Sequence, residues 1–227
     1  MIVVAMLMSG CADVSAQHRP AAPFVLQTHR MDVDVDGAPR AYGPPGLATL
    51  DTFEDAHAQR RKHAPIVGYL TEHGEPVVQG PKDPAPGFYV SQTTFEDETR
   101  AEHDPTRYVD ATRISYVVLG DEARRRGARI GDFVAVYSRR KKTCAYGVVG
   151  DAGNPSGDEG SLHLLRSLGY AFHDGRNESV EGRDILIRFY PRSNAKSVFF
   201  RQQSMLDAAA KKRGVSCDFS AVIASKR

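Results

Sequence analysis

Short runs in which apolar residues dominate or alternate with polar ones recur along the chain, and glycine, proline or charged residues separate them. Runs rich in β-branched and aromatic residues predict β-strands. A basic segment, Arg139–Lys142, separates two of these runs, which predicts a hairpin with a solvated, charged tip. Seven strands are predicted in all: Met31–Val35, Ile66–Thr71, Gly87–Thr93, Ile114–Leu119, Asp132–Ser138, Thr143–Gly150 and Asp184–Tyr190.

Two stretches have the spacing of helices. Ser161–Leu168 carries leucines at helical intervals and stops before Gly169, a natural C-terminal cap. Arg201–Arg213 contains three consecutive alanines and a basic last turn, and Gly214 closes it. Because few helices fall between the predicted strands, the order argues against a doubly wound parallel sheet. The pattern favours a single, mainly β domain with a few helices, either a small barrel or a sandwich.

Charge and hydropathy exclude two classes of protein. The 227 residues carry 30 Lys and Arg against 28 Asp and Glu, so the net charge is +2. A nucleic-acid-binding protein is expected to have a clear excess of basic residues, which this chain does not have. No apolar run approaches the roughly 20 residues that a membrane-spanning helix needs. We therefore expect a globular monomer that binds no nucleic acid and meets a membrane only through an anchor.

The first residues have the features of a targeting segment. The apolar run Ile2–Met8 is followed by Ser9, Gly10 and Cys11, which resembles a bacterial lipoprotein signal, in which the cysteine receives a diacylglycerol. The alternative is a disordered terminus with an accidental cysteine. Under the first interpretation Cys11 is lipidated and the protein is exported, as a lipoprotein of the outer or cytoplasmic membrane or in secreted form.

The same interpretation divides the chain into three parts. Residues 1–10 are the signal segment, residues 11–28 are a flexible tether without hydrophobic periodicity, and residues 29–227 are the folded domain. An exported setting permits Cys144 to pair with Cys217. Spacing alone does not decide whether these two cysteines meet.

Two carboxylates flank a turn-rich loop. A strand that looks buried ends at Gly150, so Asp151 leaves the edge of the sheet, and Glu159 follows at the start of the predicted Ser161–Leu168 helix. Acids on either side of such a loop can face one cleft, where glycosidic hydrolysis uses one to protonate the leaving oxygen and one to activate water or attack. The alternative is structural, since Asp in turns and Glu at helix N-termini are common.

A second acidic segment, Asp32, Asp34 and Asp36 before Gly37, places carboxylates at alternate positions. On a strand this alternation puts all three on one face. A calcium-binding loop begins in a similar way, but Gly43 stands where its glutamate is required. The histidines form no His-x-x-x-His pair, and Cys-x-x-Cys, Gly-x-Ser-x-Gly and phosphate-binding glycine loops are absent from the sequence. We expect neither a metal nor a cofactor.

Several blocks together resemble glycoside hydrolase family 75, the chitosanases, in a bacterial form. The longest match is a Tyr-x-Val-Val-Gly-Asp-x-Gly strand that begins at Tyr146, a Gly-x-Glu-x-Ser-like segment around Glu159, and a helix that ends in Leu-Gly at Gly169. The blocks occur in family order over roughly residues 31–193. The other blocks are Asp32–Pro44, Pro86–Thr93, Tyr108–Ala111, Ile114–Leu119 and Gly131–Val136.

The resemblance implies an exported endo-acting hydrolase that cleaves β-1,4-linked glucosamine polymers with inversion. The family's essential pair corresponds to Asp151 and Glu159, with acid and base unassigned, and Asp158 is an alternative to Glu159. The loop departs from the family pattern at Gly153 and Asn154. An acidic substrate site for a polycation is expected from Asp32, Asp34 and Asp36. Because the chain has no Trp, sugar stacking is assigned to Tyr42, Tyr89 and Tyr146.

The sequence of strand, Asp-Gly, loop, acid and helix also resembles double-psi β-barrels that bind or cut cell-wall glycans. By that analogy the domain is a six-stranded barrel of this kind. Two other functions stay open. One is a tethered barrel that binds peptidoglycan or chitosan without hydrolysis, and the other is an enzyme on the same fold that cuts peptidoglycan.

Overall fold

A curled sheet of eight strands forms the centre of the protein. The computed structural model describes residues 22–58, 61 and 63–224. In chain order the strands are β1 (Phe24–Gln27), β2 (Met31–Asp34), β3 (Thr71–Glu72), β4 (Glu75–Pro76), β5 (Tyr116–Leu119), β6 (Phe133–Ser138), β7 (Thr143–Ala152), β8 (Glu159–Ser161), β9 (Ser179–Val180) and β10 (Ile185–Phe189). The main sheet has the order β1-β10-β6-β7-β5-β8-β2-β9, and β3 pairs with β4 alone.

Short helices accompany the sheet. They are α1 (Asp121–Arg125), α2 (Leu162–Ser167), α3 (Gln203–Lys212) and α4 (Ser220–Ala224), and a 3-10 turn lies at Pro105–Arg107. α3 lies against β7, while α2 lies against β2, β7 and β8. Among the described residues, no helix combines the length and the apolar character that crossing a membrane requires.

Two parallel pairs interrupt an otherwise antiparallel sheet. β5 runs parallel to β7 and β2 runs parallel to β8, while β5 and β8 meet antiparallel. The central strands are buried on both faces: β5 is buried at every position, and β6 is buried at every position except Tyr137. Strands of this kind are continuous apolar runs rather than alternating ones. The mainly β class predicted from the sequence is therefore confirmed.

Most of the predicted elements are present. Strands β2, β5, β6, β7 and β10 coincide with five of the seven predicted strands to within two residues, and α2 and α3 lie inside the two predicted helices. β6 and β7 form the predicted antiparallel hairpin, with Tyr137 opposite Cys144 and Ser138 opposite Thr143. The basic tip Arg139–Lys142 is exposed, as expected of a solvated turn.

Two predicted strands, Ile66–Thr71 and Gly87–Thr93, are wrong. Apart from Thr71, the first residue of β3, they contribute only isolated bridges, such as that between Tyr69 and Ser91. Their backbone groups are divided among several loops instead of one ladder: Leu70 N donates to Val90 O, while Val90 N donates to Val77 O. Alternation of apolar residues predicts a strand, but only a continuous partner makes one.

One strand forms where the composition indicates a tether. Phe24–Gln27 pairs antiparallel with β10 as the edge strand β1. Phe24 is buried, its ring stacks on Phe189 with the centroids 5.2 Å apart, and the Arg126 guanidinium lies 4.1 Å from its centroid. Burial of this aromatic ring holds the segment on the sheet, so regular structure is present from Phe24 rather than from residue 29.

A disulfide joins Cys144 in β7 to Cys217 beyond α3, with the Cα atoms 5.8 Å apart. It attaches the C-terminal segment to the sheet. Beside it, Tyr137 stacks on Phe219 with the centroids 5.3 Å apart, and the Arg188 guanidinium lies 4.3 Å from the centroid of the same ring. Arg188 also donates to two carbonyl groups of this segment. The bond and these contacts fix the segment at the end of β7 remote from Asp151.

Removal of the disulfide is expected to destabilise the fold. Because the bond spans 73 residues of sequence, the double variant Cys144→Ser, Cys217→Ser should lose roughly 2–4 kcal/mol in the free energy of unfolding. Urea unfolding followed by circular dichroism measures this loss. Dithiothreitol should lower the wild-type midpoint by a similar amount and leave the double variant unchanged. A wild-type midpoint that is insensitive to the reductant contradicts the prediction.

Candidate active site

An open cleft of about 370 Å³ lies where β2, the end of β7 and the start of β8 meet. The segment from Asp51 to Ala58 and the exposed Val67 line it from the other side. Six of the residues proposed from the sequence line this cleft together: Asp32, Asp34, Asp36, Tyr42, Asp151 and Glu159. Carboxylates that are far apart in sequence therefore share one cavity because the parallel pairs bring their strand ends to the same edge.

β7 places Asp151 at the cleft. Asp151 stands opposite Val118 of β5, just beyond an irregularity between Val117 and Val118. The preceding Gly150 is required there, since a Cβ atom on it would lie 2.5 Å from Cβ of Tyr116. The close packing of Tyr116 on the strand thus fixes the direction in which Asp151 leaves the sheet.

The two oxygens of the Asp151 carboxyl group have different surroundings. Oδ1 accepts hydrogen bonds from Thr94 N at 2.9 Å, Thr94 Oγ1 at 2.7 Å and Ala152 N at 2.7 Å. Within the described part of the chain, every hydrogen bond to this carboxyl group goes to Oδ1. Asp151 is only 8% exposed yet lines the cleft, so Oδ2 is the atom available to a ligand.

Burial, followed by the charge of Asp34, raises the pKa of Asp151 to about 7. The hydrogen bonds from Thr94 and Ala152 act in the opposite direction because they stabilise the carboxylate. The balance leaves a carboxyl group that still holds its proton close to neutral pH. A carboxylic acid of this kind can act as a proton donor.

Glu159 reaches the cleft from a strand, not from a helix. It is the first residue of β8 and pairs with Asp32 of β2 in parallel register. The helix predicted to start beside it begins three residues later, at Leu162, because Ser161 is the N-cap and its Oγ accepts from Leu164 N at 3.1 Å. Paired residues of neighbouring strands project to the same face, so Glu159 and Asp32 lie side by side at the cleft.

Asp36 and Tyr42 form the inner wall of the cleft. The Tyr42 hydroxyl donates to Asp36 Oδ1 at 2.7 Å; Tyr42 is buried and Asp36 is half-buried. Burial, together with the charges of Asp34 and Asp151, raises the pKa of Asp36 well above its ordinary value. The chain turns at Gly37 with φ +76°, where a Cβ atom would lie 2.0 Å from Val109 O. Tyr42 is thus a buried hydrogen-bond donor and not an exposed stacking platform.

Three residues assigned to substrate binding do not line the cleft. Tyr89 packs on Tyr69 with the ring centroids 4.8 Å apart, and Tyr146 lies in β7 with Lys211 Nζ 5.9 Å from its ring centroid. Asp158 precedes β8, where its carbonyl oxygen accepts from Asp32 N at 2.8 Å. The proposed lipidation site, Cys11, lies outside the described residues.

Asp51, Asp55 and His57 line the cleft although the sequence analysis assigned them no role. Thr52 orders their segment, since its Oγ1 donates to Asp55 Oδ2 at 2.6 Å and accepts from Asp55 N at 3.2 Å. His57 Nδ1 lies 2.9 Å from the carbonyl oxygen of Phe53. The Thr-x-x-Asp pattern indicates a local turn, but nothing in the sequence connects that turn to the strands that carry Asp151 and Glu159.

The cleft is strongly acidic. Its described lining contains seven carboxyl side chains and neither Lys nor Arg. Clustered charge of one sign in a concave site concentrates ligands of the opposite charge. Although the chain as a whole is nearly neutral, the charge of this cleft therefore suits a cationic ligand. Within residues 22–58, 61 and 63–224, no group of three or more His, Cys, Asp and Glu has an arrangement that could hold a metal ion.

Sequence comparison does not assign the chain to a family. No family model matches it, and no curated protein matches it. The interpretation of the site therefore depends on its own geometry and on the resemblance in the blocks quoted above.

Proposed function

We propose that the protein is an exported, endo-acting glycoside hydrolase that cleaves β-1,4-linked glucosamine polymers with inversion. One observation carries the proposal: Asp151 and Glu159 line a single acidic cleft, on either side of the loop that joins β7 to β8. Inverting hydrolysis requires two carboxyl groups facing one bond, one of them protonated and one of them ionised.

The environments of the two groups suggest their roles. Asp151 is buried, retains its proton to about pH 7 and has Oδ2 available to the cleft, which suits it to protonate the glycosidic oxygen. Glu159 is half-buried and stands beside Asp32. We assign it the role of base, which takes a proton from the water that attacks the anomeric carbon from the opposite face. The protein supplies no group that becomes covalently attached.

The charge of the cleft selects between the candidate substrates. A glucosamine polymer carries ammonium groups, which the ionised members of the seven lining carboxyl groups attract. Peptidoglycan carries carboxylates on its peptides, which the same cleft repels. Binding or cutting of peptidoglycan by an envelope-tethered barrel remains the second candidate, supported by the analogy of fold.

Two further features belong to this proposal. The pairing of β5 with β7 and of β2 with β8 in parallel supports a relationship of the sheet to a six-stranded double-psi barrel. The disulfide between Cys144 and Cys217 supports export, because such bonds persist mainly in oxidising compartments. Export as a lipoprotein through Cys11 is part of the same proposal.

Mass spectrometry of oligosaccharides tests the function. The full chain is incubated separately with a glucosamine hexamer, an N-acetylglucosamine hexamer and a muropeptide-bearing peptidoglycan fragment. We expect the glucosamine hexamer to yield trimers and dimers, with the other two cut far more slowly. Cleavage of the peptidoglycan fragment alone supports the second candidate, and three intact substrates contradict hydrolysis of either polymer.

The rate should fall as the pH rises through neutrality. The acid must be protonated to act, so activity is present below the pKa of Asp151 and is lost above it, with the alkaline midpoint of kcat/KM near 7. Initial rates with the glucosamine hexamer between pH 4 and 9 measure this profile. A rate that stays constant up to pH 9 contradicts the assignment of Asp151 as the acid.

A further inference from the structure

His57 is the only imidazole in the described lining of the cleft, and it lies on the wall formed by Asp51–Ala58. The residue is only 6% exposed. Backbone pairing fixes its place, since His57 forms an isolated bridge with Ile66 and the adjacent Val67 N donates to Ala56 O at 2.8 Å. His57 is therefore a largely buried group on a fixed wall and not a mobile surface histidine.

Two contacts with Phe53 fix the His57 ring and its tautomer. Nδ1 lies 2.9 Å from the carbonyl oxygen of Phe53. A carbonyl oxygen only accepts hydrogen bonds, so Nδ1 carries the hydrogen. The Phe53 ring lies edge-on to the imidazole, with the centroids 4.7 Å apart and the planes at 79°. In the neutral ring the other nitrogen, Nε2, is then a hydrogen-bond acceptor.

Nε2 has no protein partner. Within the part of the chain that the structure describes, the Phe53 carbonyl is the only hydrogen-bond partner of the His57 ring. Nε2 is not sealed from solvent, so a ligand in the cleft can reach it. Polar groups of buried side chains are normally hydrogen-bonded. An unpartnered acceptor on a largely buried side chain in the wall of a cleft therefore points to a ligand that donates.

The charge of the wall indicates which donor fits. Asp51 and Asp55 line the cleft from the same segment as His57, and the described lining contains neither Lys nor Arg. An ammonium group donates only and is cationic, so it matches an acceptor nitrogen beside two carboxyl side chains. A sugar hydroxyl also donates, but it gains less from negative charge.

We propose that His57 is a specificity-determining residue, whose neutral Nε2 accepts a hydrogen bond from the ammonium group of a glucosamine unit in the cleft. The inference rests on the proposed function, since it names the substrate group that the Asp51–Ala58 wall recognises. The contact favours glucosamine over glucose, which has a hydroxyl at that position. It also favours glucosamine over N-acetylglucosamine, whose nitrogen is uncharged and carries a bulky acetyl group.

Two substitutions separate ligand binding from a structural role. In His57→Asn the amide nitrogen lies close to the position of Nδ1 and can still donate to the Phe53 carbonyl, but no atom replaces Nε2. In His57→Gln the longer side chain brings an amide oxygen close to the position of Nε2, and the bond to Phe53 is lost. A binding role predicts that Asn is the damaging variant and Gln the tolerated one, whereas a purely structural role predicts the reverse.

Isothermal titration calorimetry measures the effect on the full chain carrying Asp151→Asn, which slows cleavage of the ligand. The ligands are the glucosamine hexamer and a β-1,4-linked glucose hexamer. We expect His57→Asn to weaken binding of the glucosamine hexamer by about tenfold, because a hydrogen bond to a charged group is lost. Binding of the glucose hexamer should change little, and His57→Gln should keep most of the affinity for the glucosamine hexamer.

His103→Asn is the matched control, because His103 is exposed and lies outside the cleft lining. It should bind both hexamers as the parent chain does. An unchanged affinity in His57→Asn, an equal loss for both hexamers, or a greater loss in His57→Gln than in His57→Asn overturns the inference.

Nitrogen-15 NMR tests the contact without a change at His57. In the Asp151→Asn chain with labelled histidine, the signals that disappear in His57→Gln identify the two ring nitrogens. The Nε2 signal should shift when the glucosamine hexamer is added, while the Nδ1 signal stays in place. A bound hexamer that leaves Nε2 unshifted contradicts the contact, whether or not His57→Asn folds.

Failure of this inference and failure of the proposed function give different results. A wild-type chain that cleaves the glucosamine hexamer, while His57→Asn binds it as tightly as the parent, overturns the role of His57 alone. A chain that binds the hexamer through His57 without cleaving it overturns hydrolysis and leaves recognition of the ammonium group in place. A chain that neither binds nor cleaves the hexamer overturns both.

Discussion

Asp151→Asn is expected to lower kcat for cleavage of the glucosamine hexamer by about 10²–10⁴-fold, with little change in KM. The amide has no acidic proton to give to the leaving oxygen, but its oxygen can still accept from Thr94 and Ala152, so the fold is retained. Initial rates from reducing-end assays measure the loss, and circular dichroism confirms folding.

Asp121→Asn is the control for this variant, since Asp121 is an exposed acid on α1 outside the cleft lining. It should keep the wild-type rate. A folded Asp151→Asn protein whose kcat is close to that of the wild type contradicts the role of Asp151 as acid.

Glu159→Gln is expected to lower kcat by a similar factor, about 10²–10⁴, because the amide cannot take a proton from the attacking water. The neighbouring Asp158→Asn is a sharp control: it removes the adjacent acid, which lies outside the cleft lining, and it leaves the carbonyl that accepts from Asp32 N. We expect Asp158→Asn to keep most of the activity.

The opposite pattern, with activity lost in Asp158→Asn and kept in Glu159→Gln, reassigns the base to Asp158. The sequence allows either acid, because the two are adjacent in the chain. The structure distinguishes their positions, since Glu159 lines the cleft and Asp158 does not.

The sequence predicts the centre of the sheet better than its borders. β5, β6 and β7 are predicted correctly because their buried residues include many β-branched ones, which strongly favour strands. β1 is not found, because one buried ring, Phe24 on Phe189, holds a segment whose composition is that of a linker. Isolated bridges replace strands around Tyr69 for the same reason: tertiary partners, not local patterns, decide the pairing.

The candidate site is predicted in part. The alternation of Asp32, Asp34 and Asp36 and the loop between Asp151 and Glu159 are local patterns, and the cleft unites all five. Their union depends on long-range parallel pairing that the sequence does not show.

Two groups of residues could not be placed correctly from the sequence, because long-range packing decides their positions: the acids of the Asp51–Ala58 segment and the aromatic residues assigned to sugar stacking. Asp51 and Asp55 reach the cleft through a loop whose packing has no local signature. Aromatic rings chosen by residue type alone, such as Tyr89 and Tyr146, are instead used in packing elsewhere.

The central claim is that two carboxyl groups of one acidic cleft cleave a glucosamine polymer with inversion. Proton NMR of the glucosamine hexamer during the first minutes of reaction with the full chain tests it most directly, because the anomeric signals report both cleavage and stereochemistry. We predict that new reducing ends appear first as the α-anomer and that the β-anomer follows by mutarotation. Early β-anomer contradicts inversion, and a spectrum that does not change contradicts the function itself.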